Sequence, residues 1–260
     1  MPVVFIGHGN PMFAIEPNRY TESWTVLAAE LPRPTAVLAV SAHWYVAGTA
    51  VTSMEMPRTI HDFGGFPDEL FRVDYPAPGS PELADRARAL ADDSGLLEGP
   101  AVADRGWGLD HGSWAVLRHL YPDADVPVVQ LSIDGRRPGA FHLELGTALA
   151  PLRDEGVLIL ASGNVVHNLG AARFGAGVTP FAWAERFEDV VRHLTEVGDR
   201  EALVDPLSLG PDAQRSIPTP DHYLPLLYAL GAAGGSEPAR VVTSGIDAAS
   251  ISMLSLAFGG

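Results

Sequence analysis

Three short apolar segments, each ending at or just before a histidine, constrain the fold of this chain more than any other feature. The segments are residues 3–6, 36–44 and 157–161, and their histidines are His8, His43 and His167. Runs of this length, rich in Val, Leu, Ile and Ala, are typical of strands buried on both faces. Open α/β sheets bind their ligands at the carboxyl ends of such strands. The sequence therefore predicts that these three histidines converge on one site.

Helical and extended patterns alternate along the rest of the chain. The predicted helices cover residues 18–31, 80–95, 113–121, 141–153, 180–197 and 221–230, and further strands cover residues 49–54, 126–133, 240–244 and 251–258. Residues 59–79 contain HDFGGFP and VDYPAPG and predict a long irregular loop, which in a compact domain is usually functional. Strands that alternate with helices predict one domain over residues 1–260, a three-layer α/β/α sandwich with a largely parallel, mixed central sheet.

Composition limits the partners and cofactors. The chain has no cysteine, so a bound metal must be held by imidazole and carboxylate groups, and iron, zinc and manganese all remain open. A formal net charge of -15 argues against nucleic acid as a partner. No apolar run approaches the roughly 18 residues needed to span a bilayer, and the first residues lack a signal-peptide pattern. We expect a soluble, cytoplasmic protein.

Three of the nine histidines have the context of metal ligands. His8 lies between two glycines after the first strand, His43 lies at the end of the second, and His222 lies in the first turn of the predicted helix 221–230. Neutral imidazole is the commonest metal ligand, and strand ends and helix starts hold such ligands rigidly. His111 lies at a loop-to-helix junction, and four further histidines divide into surface or packing residues within helices and one loop residue that lines a pocket mouth or is solvated. The first group is His119, His142 and His193, and the loop residue is His61.

Other catalytic motifs are absent from the sequence. There is no G-x-S-x-G elbow, no P-loop, no G-x-G-x-x-G after a strand and no H-E-x-x-H, so serine hydrolases and nucleotide enzymes are not indicated. Two aspartates adjoin histidines of interest. Asp110 and Asp221 either orient His111 and His222 or simply cap the helices that begin there.

Seven motifs in order resemble one enzyme family across nearly the whole chain. They are GHGNPM at 7–12, SAHW at 41–44, DFGGFP at 62–67, YPAPG at 75–79, GLDHGSW at 108–114, SGNVVHNL at 162–169 and DHYLPL at 221–226. The sequence resembles the class III extradiol ring-cleavage dioxygenases of the LigB type, in the branch named for 4,5-DOPA extradiol dioxygenase.

The resemblance implies a function and a set of site residues. It implies a non-haem Fe(II) enzyme that inserts both atoms of O₂ into a small aromatic diol, next to the two hydroxyls. The residues matching the family's metal ligands are His8, His43 and His222. His167 matches a residue that acts as an acid/base or as a further metal ligand, and His111 matches a residue of the substrate pocket with a part in proton transfer.

Two questions stay open at the level of sequence. Three imidazoles are also the ligand set of hydrolytic zinc sites, so Zn(II) is a plausible bound metal, and the alternatives are a zinc-dependent hydrolase or a metal-binding protein without catalysis. The catechol is not identified, since DOPA, protocatechuate-like acids and simple catechols all fit. The aromatic side chains available to cover its ring come from the loop and are Phe63, Phe66 and Tyr75.

Overall fold

The computed structural model describes residues 1–175, 177–235 and 237–259. The strands are β1 (Val3–Gly7), β2 (Ala36–Val46), β3 (Ala50–Thr52), β4 (Val102–Asp104), β5 (Val128–Asp134), β6 (Val157–Gly163), β7 (Ala239–Thr243), β8 (Ile246–Asp247), β9 (Ile251–Ser252) and β10 (Ser255–Phe258). The α-helices are α1 (Arg19–Glu30), α2 (Asp68–Phe71), α3 (Pro81–Asp93), α4 (His111–Leu120), α5 (Gly139–Leu149), α6 (Ala182–Glu196), α7 (Arg200–Val204), α8 (Ala213–Ser216) and α9 (Leu224–Ala233). None of the helices in these ranges is long and apolar enough to cross a membrane.

Eight strands form the central sheet, in the order β4-β3-β5-β2-β6-β1-β10-β7. The four central strands β5, β2, β6 and β1 run parallel, whereas β10 pairs antiparallel with both β1 and β7. Because β2, β6 and β1 are adjacent and parallel, their carboxyl ends lie side by side at one edge of the sheet. The predicted convergence of three histidine-bearing strands is therefore a property of the sheet order.

Helices cover both faces of this sheet. Side chains alternate along each central strand, so that Val3 and Phe5 of β1 pack in one core while Val4 and Ile6 pack in the other. The first core is closed by α3, α5, α6, α7 and α9, and the second by α1 and α4. The predicted three-layer α/β/α sandwich with a largely parallel, mixed sheet is confirmed.

Several predicted boundaries differ from the structure. The most important concerns His222, which was predicted in the first turn of a helix and instead lies in a turn before α9 begins at Leu224. A helix starting at Asp221 would place the Pro225 ring against the Asp221 carbonyl, whereas a start at Leu224 puts proline in the first turn, where it is tolerated. The predicted strand 251–258 is divided into β9 and β10, and the short elements β4 and α7 were not predicted.

Candidate metal centre

The carboxyl ends of the central strands open into a cavity of ≈ 330 Å³. Its floor is polar and its sides are largely apolar. The histidines that line it are those predicted as metal ligands or acid/base residues, namely His8, His43, His111, His167 and His222. Of the three aromatic residues predicted to cover the substrate ring, Phe63 and Phe66 line the cavity, whereas Tyr75 is buried elsewhere, with its hydroxyl donating to the Tyr121 carbonyl. The pairing of β2 with β5 shifts between Val40 and Tyr45, and this irregularity falls on the segment that carries His43.

Three imidazoles meet at the floor of the cavity. His8 follows β1, His43 lies within β2, and His222 lies in the turn before α9; their ligand atoms are all within 4.8 Å of one another. His8 and His222 are 4% and 7% exposed, so their rings are almost fully removed from water. A cluster of this kind, buried but open to a cavity on one side, is the arrangement that a catalytic metal site requires.

The Nδ1 atom of His8 is hydrogen-bonded away from the cluster. It lies 3.0 Å from Ser162 Oγ. The Ser162 hydroxyl donates its own hydrogen to the Gly112 carbonyl, so this oxygen accepts from the His8 ring. The proton of His8 is therefore on Nδ1, and the lone pair of Nε2 faces the other two histidines.

Carboxylates hold the Nδ1 atoms of the other two rings. Asp62 Oδ2 lies 2.6 Å from Nδ1 of His43, and Asp221 is hydrogen-bonded to Nδ1 of His222. A carboxylate at Nδ1 favours the tautomer with the proton on that nitrogen and leaves Nε2 free to bind a metal. All three rings thus present an Nε2 lone pair to a common point.

The distance between two of these nitrogens fits a metal ion. Nε2 of His8 and Nε2 of His43 are 3.2 Å apart. Two nitrogens bound tetrahedrally at 2.0–2.1 Å from zinc or a similar ion are separated by about 3.3 Å. Two lone pairs at this distance repel each other unless a metal ion or a proton lies between them.

Burial keeps most of these rings neutral. It lowers the pKa of His8 well below its ordinary value, with a further contribution from His43, and it lowers the pKa of His222 to about 4. Burial also acts to lower the pKa of His43, but the contact with Asp62 and the charge of Asp110 outweigh it and raise that pKa. For Asp62 itself, burial opposes ionisation, yet contact with His111 and His43 holds its pKa well below its usual range.

Asp62 is the site residue that sequence analysis missed. Its Oδ1 lies 3.0 Å from Nδ1 of His111 and accepts a hydrogen bond from the His111 backbone N–H at 2.9 Å. One carboxylate therefore touches both a candidate metal ligand and a candidate proton-transfer residue. The only sequence signal was a carboxylate in the first position of DFGGFP, in a loop that was considered for its aromatic side chains and for His61.

His111 and His167 flank the cluster on opposite sides. His111 is the first residue of α4, is 5% exposed, and has its ring centroid 3.9 Å from that of His43. The His167 ring stacks on the His222 ring, with centroids 3.4 Å apart and planes tilted by 7°. Burial lowers the pKa of both His111 and His167, and the neighbouring His222 lowers that of His167 further.

The two aspartates with alternative roles differ from each other. Asp110 is the N-cap of α4, accepting from the Ser113 backbone N–H, and it also accepts from Ser41 Oγ at 2.6 Å. It makes no hydrogen bond to a site histidine among the described residues. Asp221, in contrast, contacts Nδ1 of His222 directly.

The other four histidines are away from the cluster. His119 contacts the Phe13 carbonyl, His142 contacts the Tyr228 hydroxyl, and His193 is exposed on α6, all as predicted for packing or surface residues. His61 lies 2.9 Å from the Val73 carbonyl, is half-buried within the loop and does not line the cavity.

Glycines allow the backbone to come close to these rings. A Cβ atom on Gly163, the last residue of β6, would lie 2.2 Å from the His222 carbonyl oxygen. A Cβ on Gly112 would lie 2.5 Å from Ser41 Oγ and 3.2 Å from Cδ2 of His43. Real Cβ atoms do not make such contacts, so both positions require glycine for the observed ring positions.

The fold and site define an α/β sandwich with a candidate metal centre of three histidines at the carboxyl ends of its central strands. Residues 8–259 match the family described as the catalytic LigB subunit of aromatic ring-opening dioxygenase. The chain is 51% identical to a 4,5-DOPA dioxygenase extradiol of Escherichia coli (strain K12), covering 100% of this chain and 95% of that protein. It is 39% identical to a 4,5-DOPA dioxygenase extradiol of Beta vulgaris, covering 94% and 91%.

A solved structure agrees with these sequence matches. The crystal structure of an uncharacterized protein, JW3007, from Escherichia coli K12 matches with a TM-score of 0.85 and 48% identity, covering 100% of both chains. The chain belongs to the LigB family of aromatic ring-opening dioxygenases. The predicted family and the predicted extradiol ring-cleavage activity are confirmed, and the zinc hydrolase that the sequence left open is not favoured.

Proposed function

We propose that this dioxygenase uses Fe(II) held by His8, His43 and His222 and that it opens the ring of a DOPA-like catechol next to the two hydroxyls. The observation that carries the proposal is the convergence of three Nε2 lone pairs on one point at the floor of the cavity, with Nε2 of His8 and His43 3.2 Å apart. The choice of DOPA-like substrates is supported by the two relatives, each of which is a 4,5-DOPA dioxygenase extradiol.

Iron supplies two things when it is bound at such a site. It acts as a Lewis acid that favours the ionised diol, and as a redox centre through which O₂ reacts with an organic substrate. The three neutral imidazoles carry no charge to offset that of the metal, so an anionic diol is a favourable partner for it. Zinc fits the same nitrogen set but has no redox chemistry, which is why iron is proposed as the active metal.

His111 and His167 are proposed to move protons. Ring cleavage needs a base for the diol and later a proton donor, and an imidazole performs both tasks well near neutral pH. Burial lowers the pKa of each ring, so that each is neutral and keeps a free lone pair when the substrate enters. Asp62 contacts Nδ1 of the His111 ring, so the other ring nitrogen, Nε2, points away from the carboxylate.

The apolar walls of the cavity support an aromatic substrate. Phe63 and Phe66 from the loop 59–79 line one side, and Leu169, Phe174 and Ile251 line the other. The ring centroids of Phe63 and His111 are 5.4 Å apart in an edge-to-face arrangement. A flat apolar ring fits between such walls, while its two hydroxyls face the histidines.

The test is metal reconstitution followed by oxygen uptake. The metal-free enzyme is loaded anaerobically with Fe(II) or with Zn(II), and each form is mixed with DOPA, 4-methylcatechol or protocatechuate in an oxygen electrode. We expect O₂ consumption and a coloured ring-opened product only for the Fe(II) form, fastest with DOPA. Absence of O₂ uptake by the Fe(II) form with all three catechols would contradict the proposal. So would equal turnover with Zn(II).

A further inference from the structure

The wall of the cavity opposite the loop carries one further carboxylate, Asp247. The strands β8 and β9 form a small hairpin in which Asp247 pairs with Ile251, and Ile251 forms a bridge on its other side with His167. Residues directly opposite one another in antiparallel strands point to the same face, and all three side chains do line the cavity. Asp247 is thus two strand spacings, about 10 Å, from the backbone of His167.

The carboxylate of Asp247 has no cationic partner within the part of the chain that the structure describes. Among residues 1–175, 177–235 and 237–259, no basic group lies within 4.0 Å of it, and no arginine lines the metal cavity. Arg19 exerts some influence on Asp247 but donates its hydrogen bond to the Tyr20 hydroxyl at 2.6 Å. The other carboxylate of the cavity, Asp62, is already engaged by two histidines. Asp247 is therefore the carboxylate that is free to meet a cation from the cavity.

The turn that presents Asp247 is held in a conformation that its sequence disfavours. The two residues after it, Ala248 and Ala249, have φ values of 45° and 65°, in the left-handed region where glycine or asparagine is usual. Hydrogen bonds hold both peptides: the Arg173 N–H donates to the Ala248 carbonyl at 2.9 Å, and the Phe181 N–H donates to the Ala249 carbonyl at 3.0 Å. Strained residues of this kind occur preferentially at sites that contact ligands.

We propose that Asp247 binds the protonated amino group of the substrate's side chain, so that the enzyme selects catechols whose side chain carries an ammonium group over those whose side chain is neutral or carries only a carboxylate. The inference rests on the proposed function, because it places the diol at the three histidines. A substituent on the far side of the ring then extends along Ile251 towards Asp247. An ammonium group there gains a charged hydrogen bond, whereas a carboxylate meets a like charge.

The experiment compares the wild type with Asp247→Asn, which keeps the size of the side chain and removes its charge. The probes are dopamine with a cationic side chain, 4-methylcatechol with a neutral one, and 3,4-dihydroxyphenylpropionate with an anionic one. We expect kcat/KM for dopamine to fall about 10- to 100-fold, mainly through KM, which is the range for a hydrogen bond to a charged group. The value for 4-methylcatechol should be unchanged, and that for the anionic probe should rise.

Asp93→Asn serves as the matched control. Asp93 is exposed at the end of α3, so this variant changes the net charge equally without touching the cavity. It should show wild-type kinetics with every probe. If Asp247→Asn loses activity equally with all three catechols, or if dopamine is unaffected, the inference is wrong.

A binding measurement separates this inference from the proposed function. The affinity of the metal-loaded enzyme for each probe is measured anaerobically by calorimetry, where no turnover is needed. A wild type that binds dopamine more tightly than 4-methylcatechol, with the difference abolished in Asp247→Asn, supports the inference even if no probe is oxidised. A wild type that binds the anionic probe as tightly as dopamine overturns it even if every probe is cleaved and even if the variant does not fold.

Discussion

The imidazole rings of His167 and His222 are stacked face to face, with centroids 3.4 Å apart and planes tilted by only 7°. The Nε2 lone pair of His222 lies in the plane of its own ring. The lone pairs of His167 lie in a nearly parallel plane one ring separation away, so the two rings do not direct lone pairs at a common point. The stack therefore favours His167 as an acid/base over a fourth ligand.

The five site histidines should divide into two groups when replaced by alanine. His8→Ala, His43→Ala and His222→Ala each remove one of three converging nitrogens and should lose most of the metal. His167→Ala and His111→Ala should retain it while kcat falls roughly 10²- to 10⁴-fold, the range for loss of a general acid or base. The measurement is iron content by atomic absorption beside oxygen uptake. Metal loss in His167→Ala equal to that in His8→Ala would restore its role as a fourth ligand.

The control for this series is His193→Ala. His193 is exposed in the last turn of α6, away from the cavity. It should retain full metal content and full turnover. His119 is less suitable, because its ring contacts the Phe13 carbonyl and packs against Trp24.

Replacement of Asp62 should affect both metal binding and proton transfer. Asp62→Asn leaves Nδ1 of His43 and of His111 without a carboxylate, and loss of such a partner typically lowers metal affinity 10- to 100-fold. Asp221→Asn is the matched variant, since Asp221 is hydrogen-bonded to His222 but has no contact with His111. We expect similar losses of affinity, measured by competition with a chelator. At saturating Fe(II), kcat should fall further in Asp62→Asn; equal kcat values would show that Asp62 serves only the metal.

The metal-free protein should lose stability as the pH falls from about 6.5 to about 4. Burial lowers the pKa of His142 and of His222 to about 4, and it lowers those of His8, His111 and His167. Between the folded and unfolded pKa values the unfolded chain binds more protons, so the free energy of unfolding decreases as the pH falls. A full shift from 6.5 to about 4 corresponds to roughly 3 kcal/mol for each histidine.

Other titratable groups modify this pH dependence in known directions. The raised pKa of His43 contributes stability that is present below pH 6.5 and is lost as the pH rises through its folded pKa, so it opposes the trend, as does the pKa of Glu188, which burial raises. Asp62 and Asp221 have lowered pKa values, and their contribution is lost only below about pH 3.8. Melting temperatures, measured by circular dichroism in the presence of a chelator, test the combined effect of these groups on stability. A Tm at pH 5 equal to that at pH 7 would contradict it.

Phe66 should contribute to substrate binding and not to metal binding. It lines the cavity and makes an edge-to-face contact with Phe63, with ring centroids 5.4 Å apart. Phe66→Ala should raise KM for catechols about tenfold, as expected for loss of one aromatic contact and its buried area, with unchanged iron content. Phe71→Ala is the control, because Phe71 packs on the outer side of Phe63 and does not line the cavity. Exchange of the whole loop is a poorer test, since it removes Asp62 as well.

Gly163→Ala should destabilise the fold and the metal site together. The added Cβ would lie 2.2 Å from the His222 carbonyl oxygen, so the turn that carries His222 must move. We expect a loss on the order of 2 kcal/mol in the free energy of unfolding, typical of overpacking, and weaker metal binding. Gly99→Ala is the control, because a Cβ there meets no atom within 4 Å. Normal metal affinity in a folded Gly163→Ala variant would show that His222 tolerates the shift.

Sequence patterns were sufficient to predict the layers of the fold and the positions of the histidines at the strand ends. The apolar periodicities of strands and helices are local signals, because the direction of each side chain is set by the geometry of its own strand or helix. His8, His43 and His167 lie close to the carboxyl ends of three apolar strands. Their convergence follows if these strands are parallel neighbours in one sheet. The seven motifs identified the family because their order along the chain is itself a sequence property.

Side-chain contacts between distant segments became visible only in the tertiary structure. Asp62 contacts His43 and His111 from a loop, and Asp247 lines the opposite wall of the cavity from a hairpin. Neither the loop nor the hairpin has a periodic pattern in the sequence. The His167 ring, just after β6, stacks on the ring of His222, more than fifty residues later in the chain. His222 lies in a turn and not in the predicted helix, because Pro225 is tolerated only in the first turn of α9. Contacts between distant segments depend on the packing of the whole sheet and its loops, and no local pattern of residues encodes them.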